Sequence, residues 1–333
     1  MMLQPAVLAL LSASLLVSLM TVGAGWLGLQ ILRHWDPRSG SERQLLLERR
    51  TYLVSTLLRF CFLLQALSLF YFIYTADSLH SRFAGAMCAV GTLNVDPYGY
   101  PVLLVKIVTF LLAGVWLIIN HTDNLAYDYP LIRPKYLLLL VIAPLVVVEA
   151  GLQLAYFAGL RTDVVASCCG NLFSAAASSL PGEMAALPGR PLMAALAVAV
   201  LLTVASGIVF YRCRRWGLVF SLASVATFPL AILALISVLC LYFYQLPTHH
   251  CPFCLLQREY GYIGYLLYLA LGTGAVAGAG TGSLLPAARL PSLRAIVPRQ
   301  QRRLVVVTII AYLLFIALVL GRMALTDFHM DHW

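Results

Sequence analysis

The sequence predicts an all-α fold: a polytopic transmembrane helical bundle of about eight spans with both termini outside. Three observations predict it. The 333 residues are 62% hydrophobic and 11% charged, whereas soluble domains carry about 25% charged residues, so lipid is the solvent for much of this chain. Eight apolar stretches each approach the ~20 residues that a bilayer core requires. Lys and Arg fall on alternate connections, 15 on one set against 4 on the other.

The first stretch, 5–32, has no basic residue ahead of it and a basic flank behind it. That is the reverse of a secretory signal, so it is expected to stay as a span with its N-terminus outside. The second, 51–75, carries Arg59, and the third, 101–120, carries Lys106; both cations are placed to snorkel toward an interface. The fourth, 136–160, holds Glu149 near its middle. A carboxylate there is costly and often functional, which makes Glu149 a candidate proton relay or a partner of Lys106. The fifth is 191–211. The sixth, 217–245, contains Pro229, expected to kink it. The seventh, 257–280, runs into a Gly- and Ala-rich tract, Gly272 to Gly282, which suits close helix packing or loosens the inner end. The eighth is 304–326. These are solid apolar runs, not the alternating pattern of an outer-membrane barrel, and in lipid an unclosed chain satisfies its backbone only as helix.

The charge asymmetry orients the bundle. Positive-inside places 33–50, 121–135, 212–216 and 281–303 in the cytoplasm, and 76–100, 161–190, 246–258 and 327–333 outside. The expected location is a bacterial inner membrane with the second set of loops in the periplasm. The net charge of +9 is mostly this bias, and no nucleic-acid partner is implied. Two regions are expected: 1–135, with three spans and an outer loop carrying Cys88, and 136–333, with a four-helix redox bundle over 136–280 and a final span at 304–326.

Five of the eight cysteines fall outside: Cys88, Cys168, Cys169, Cys251 and Cys254. That is the side where disulfides persist. Cys61 and Cys240 lie within spans as small hydrophobes, and Cys213 lies in an inner turn. No histidine lies within a span, which argues against a b-type haem, and no Cys-x-x-Cys-His attaches a haem covalently. The strongest local signal is His249-His250-Cys251-Pro252-Phe253-Cys254-Leu255-Leu256-Gln257-Arg258. A Cys-x-x-Cys opening a helix has its thiolate stabilised by unpaired N–H groups and the helix dipole, and the thiolate is the nucleophile. Pro252 suits the first helical position. Arg258, four residues after Cys254, is expected one turn deeper on the same face. Tyr260 and Tyr262 follow, while Tyr265 and Tyr268 read as an interfacial aromatic belt.

This motif at the outer mouth of a helix resembles the quinone-linked disulfide oxidase DsbB, over His249 to Tyr268. The resemblance implies that Cys251 and Cys254 are the quinone-proximal redox pair and that Arg258 contacts the quinone. The chain departs from DsbB in having no cysteine after the motif. A loop with cysteines, two spans and then Cys-x-x-Cys is similar to the vitamin K epoxide reductase (VKOR) family, and spans four to seven follow that order with Cys168-Cys169 in the loop. The first outer loop also resembles that family in Cys88-Ala-Val-Gly-Thr-Leu and Pro97-Tyr-Gly-Tyr-Pro101. Adjacent Cys168 and Cys169 are not the spaced pair either family uses.

The expected function is therefore a membrane thiol–disulfide oxidoreductase. It would exchange electrons between a thioredoxin-like extracytoplasmic dithiol protein and a non-covalently held quinone (ubiquinone or menaquinone). Cys251, Cys254, Cys168, Cys169 and Cys88 would carry the exchange, with Arg258, Tyr260 and Tyr262 at the quinone. A second class fits the same residues. His249, His250, Cys251 and Cys254, with His329 and His332 as extra donors, would suit copper or zinc. A third is a non-catalytic subunit of a membrane complex, its bridges serving loop stability.

Overall fold

The computed structural model describes residues 1–36, 39, 41–161 and 180–326. Cys168, Cys169, His329 and His332 lie outside the described residues. The fold is all-α, with no strand among the described residues. Among the described residues, eight helices are long and apolar enough to cross a membrane: Pro5–His34, Glu42–Ser78, Gly99–Asp123, Ile132–Gly159, Gly189–Cys213, Gly217–Tyr244, Ile263–Ser283 and Ile296–Leu325. These are the first to eighth spans, and the chain is an integral membrane protein. Leu15, Leu19, Leu67, Leu201 and Ile310 are exposed on them, as lipid-facing residues must be.

Three spans start well away from the sequence expectation, and the eighth starts eight residues early, at Ile296. The second begins nine residues earlier than expected, because Glu42-Arg-Gln-Leu-Leu-Leu-Glu-Arg-Arg50 consists of good helix formers and extends the helix beyond its apolar part. The seventh begins only at Ile263, because Gln257 is extended and Gly261 and Tyr262 have positive φ of 64° and 57°.

The chain forms two compact units, and they do not follow the expected 1–135 and 136–333 division. The first unit comprises Met1–Thr75, Asp96–Leu160 and Ser283–Gln301. It therefore holds the fourth span together with the first three. Its core sets Trp116 edge-on to Phe62, with ring centroids 4.9 Å apart, and the Trp116 indole N–H donates to the Lys135 carbonyl at 3.1 Å. The first span lies close on the fourth: a Cβ at Gly28 would stand 3.1 Å from the Tyr136 ring.

Two buried lysines of this unit are each paired with a carboxylate. Lys106 Nζ lies 2.6 Å from Glu149 Oε1, with both side chains at most 1% exposed. Glu149 Oε2 also accepts from Thr109 Oγ1 at 2.6 Å and from Gln65 Nε2 at 2.5 Å, while Lys106 donates to Ser68 Oγ at 3.1 Å. Lys106 thus does not snorkel. Desolvating an ammonium is tolerable only against a paired anion, and Glu149 supplies it. Arg59, in contrast, is exposed. A second buried pair, Lys135 to Asp123 at 2.6 Å, closes the connection between the third and fourth spans. Asp123 Oδ1 there accepts the Leu131 N–H at 2.8 Å.

The second unit comprises Ala76–Val95, Arg161–Gly282 and Arg302–Trp333. It gathers the fifth to eighth spans around the motif, with the segment carrying Cys88. The motif's unit thus groups the fifth to eighth spans, where the sequence expectation was a bundle over 136–280. The fifth and sixth spans form a hairpin through Arg214 and Trp216, both with positive φ. The glycine tract of the seventh span is a packing face. Gly278 and Gly282 face Ser224 and Ser221 of the sixth span at distances that admit no Cβ. Ser224 Oγ donates to the Gly274 carbonyl at 3.1 Å, and Tyr312 of the eighth span donates to the Ser224 carbonyl at 2.6 Å. The sixth span contains Pro229 and, farther on, one π-helical turn over Leu235–Leu239; such turns are frequent at functional sites.

Candidate functional site

Two segments of the second unit meet at the site. Cys88 is the extended residue (φ −159°) before the short helix Ala89–Asn94. Asp77 anchors that helix by accepting the Ala89 N–H at 3.0 Å. Gln257 then staples the motif to this segment: its Nε2 donates to Asp77 Oδ1 at 3.1 Å and to the Met87 carbonyl at 3.0 Å. With the segments so joined, Cys88 Sγ lies 3.6 Å from Cys251 Sγ. The Cys88, Cys251 and Cys254 sulfurs all lie within 4.8 Å of one another. Cys88 and Cys251 are 0% exposed and Cys254 is 5% exposed.

The motif's backbone is held from both sides. The Tyr244 hydroxyl donates to the Cys251 carbonyl, and the Tyr268 hydroxyl donates to the Pro252 carbonyl at 2.6 Å. Cys254 starts a 3₁₀ turn, Cys254–Leu256. The seventh span approaches this turn at Gly264, where a Cβ would stand 2.9 Å from the Leu255 carbonyl carbon. His250 Nδ1 donates to the Ile236 carbonyl, 2.9 Å away in the π-helical turn. The His249 ring packs edge-on to Tyr244 at 4.4 Å, and its Nε2 is buried with no hydrogen-bond partner. Burial pushes His249 below its ordinary pKa, and the nearby Cys88 acts in the opposite direction.

No protein-family model, no curated protein and no solved structure matches the chain.

Several expectations are corrected. The cysteine pair does not open the long helix, and Pro252 is not a first helical residue, since the seventh span begins at Ile263. Arg258 is not one turn below Cys254 on a shared face. Gln257 at ψ 161° ends the first turn, and Arg258 lies exposed in a separate turn, Arg258–Tyr260. Tyr260 is half-buried and packs edge-on to Tyr244 at 4.7 Å. Burial raises its phenol pKa above the ordinary value, and Cys254 adds to that. Tyr262 is 51% exposed. Tyr268, through its bond to the Pro252 carbonyl, clamps the motif. Glu149, buried with Lys106, belongs to the first unit, so pairing is the observed one of its two expected roles.

Among the described residues, the cluster of possible metal ligands differs from the expected His249, His250, Cys251 and Cys254. It comprises Cys88, Cys251 and Cys254; His249 and His250 are not in it, and His250 Nδ1 is engaged with a carbonyl. Asp77, Tyr244 and Gly264 escaped the sequence reading. Gln257 stood inside the motif without a role, and its position between the cysteines and a charged turn was the available signal.

Proposed function

We propose that the protein is a membrane thiol–disulfide oxidoreductase that passes electrons from an extracytoplasmic, thioredoxin-like dithiol protein to a membrane quinone. The observation that carries this reading is the third sulfur. A Cys-x-x-Cys alone needs no further cysteine, yet Cys88 comes from a remote segment to 3.6 Å from Cys251. Exchange proceeds by attack of a thiolate on a disulfide sulfur with a third sulfur leaving, and three mutually adjacent sulfurs provide attacker, centre and leaving group.

In the proposed cycle the Cys88 thiolate attacks the Cys251 sulfur of a Cys251–Cys254 disulfide. The Cys88–Cys251 bond forms and Cys254 leaves as a thiolate. A second thiol, Cys168 or Cys169, then attacks Cys88 and releases Cys251. The Cys251/Cys254 dithiol gives two electrons and two protons to the quinone, which becomes quinol as the Cys251–Cys254 bond re-forms. The partner's dithiol reduces the Cys88 disulfide to complete the turnover, so one dithiol is oxidised per quinol. Arg258, exposed beside the motif, and Tyr260 are the residues offered to the quinone.

The test uses purified protein in detergent with a soluble quinone analogue and a reduced thioredoxin-like protein, following quinone absorbance. Quinone should be consumed, and Cys251→Ser, Cys254→Ser and Cys88→Ser should each abolish consumption. If the intact protein transfers no electrons, and Cys251 and Cys254 stay unreactive to an alkylating reagent after reduction, the proposal is wrong.

A further inference from the structure

We infer that the reduced Cys88–Cys251–Cys254 trio is a binding site for a thiophilic divalent cation of the zinc class. The inference goes beyond the redox reading and does not depend on it, because a protein that never meets a quinone would hold the ion equally well. Its basis is spacing. A zinc–thiolate bond of about 2.3 Å puts two ligand sulfurs about 3.8 Å apart in a tetrahedral site. Here one pair stands at 3.6 Å and all three pairs within 4.8 Å, so an ion needs little rearrangement of the sulfurs. Soft sulfur donors select soft or borderline ions and reject magnesium and calcium.

Charge decides between candidate ions. Three thiolates around a monovalent ion leave a double negative charge, and around a divalent ion a single one. The sulfurs are buried, and burying uncompensated charge is strongly unfavourable, so the divalent ion is preferred. Zinc takes a fourth ligand. His249, two residues before Cys251, has a buried Nε2 without a hydrogen-bond partner and is the donor available to turn toward the ion, although it is not among the atoms already within 4.8 Å. Binding releases the thiol protons and leaves every sulfur oxidation state unchanged. Metal and disulfide therefore compete for the same sulfurs.

The test titrates the reduced, full-length protein, without oxygen and in detergent, with Cd²⁺ as the spectroscopic probe and Zn²⁺ as competitor. The thiolate-to-cadmium charge-transfer absorption should saturate at equimolar Cd²⁺ and be displaced by Zn²⁺. It should vanish in Cys88→Ser and in Cys254→Ser, weaken in His249→Asn, and survive in Cys61→Ser and in the Cys168→Ser/Cys169→Ser double variant. Unchanged helical circular dichroism separates loss of ligand from loss of fold, and the two single-cysteine variants guard against one of them misfolding. Absence of the absorption, or its persistence in Cys88→Ser, overturns the inference. Quinone consumption by metal-free protein is a separate readout, so either reading can fail alone.

Discussion

The Gln257 staple offers a quantitative test of how the trio is assembled. In a Cys254→Ser background, mild oxidation should trap a Cys88–Cys251 disulfide, because the sulfurs at 3.6 Å need to close only to the bond length of about 2.05 Å. Gln257→Ala removes both hydrogen bonds from Nε2, to Asp77 and to the Met87 carbonyl. At about 1 kcal/mol net for each bond, the joined arrangement loses about 2 kcal/mol. Since about 1.4 kcal/mol is tenfold, the effective concentration of Cys88 at Cys251 should fall roughly 30-fold. Asp77 keeps the Ala89 N–H, so the short helix should persist and the loss should be confined to the junction. The assay quenches a timed oxidation with an alkylating reagent and measures the cross-linked peptide pair by mass spectrometry. A Gln257→Ala rate within about twofold of its parent would refute the argument that hydrogen bonding to this side chain brings the sulfurs together.

Three further outcomes are expected. Lys106→Met should destabilise the protein by about 3–5 kcal/mol, since it leaves Glu149 buried without its cation, and adding Glu149→Gln should recover most of that in detergent denaturation; a double variant as unstable as the single one would show that charge is not the cause. Gly264→Ala should cost about 1–3 kcal/mol through overpacking and slow Cys88–Cys251 trapping, because the added methyl meets the Leu255 backbone, which cannot rotate away; trapping at the parent rate would show that this close approach does not position the motif. In reduced native protein, a water-soluble maleimide should label exposed Cys213 well before Cys88 and Cys251, the order disappearing in denaturant; equal native rates would contradict the burial of the trio.

The spans were legible because lipid imposes one requirement, apolar length, that composition reports directly. The site was legible only as far as its local part. Cys251 and Cys254 announce themselves by spacing, but the partner in space is Cys88, 163 residues away, and no periodicity encodes that pairing. The backbone course after Cys254 was misread for a physical reason. An apolar run with a cation four residues on suggests one continuous helix, while the breaks at Gln257, Gly261 and Tyr262 depend on individual torsions. Lys106 and Glu149 were each visible as charges in apolar runs. Their pairing was one of two expectations for Glu149, and snorkelling was expected for Lys106 because its depth alone does not reveal a partner on another helix.

Burial of the trio also constrains how electrons would reach it. Cys88 and Cys251 are 0% exposed, and a disulfide exchange needs three sulfurs nearly in line. A folded, thioredoxin-like protein presents its thiol from a surface and has no path to a sulfur that is fully covered. A relay through Cys88 therefore requires a carrier cysteine able to meet both the partner and Cys88. Among the described cysteines, Cys61 and Cys240 lie within spans and Cys213 ends the fifth span, at the connection assigned by charge to the cytoplasmic side. In the proposed cycle that carrier is Cys168 or Cys169.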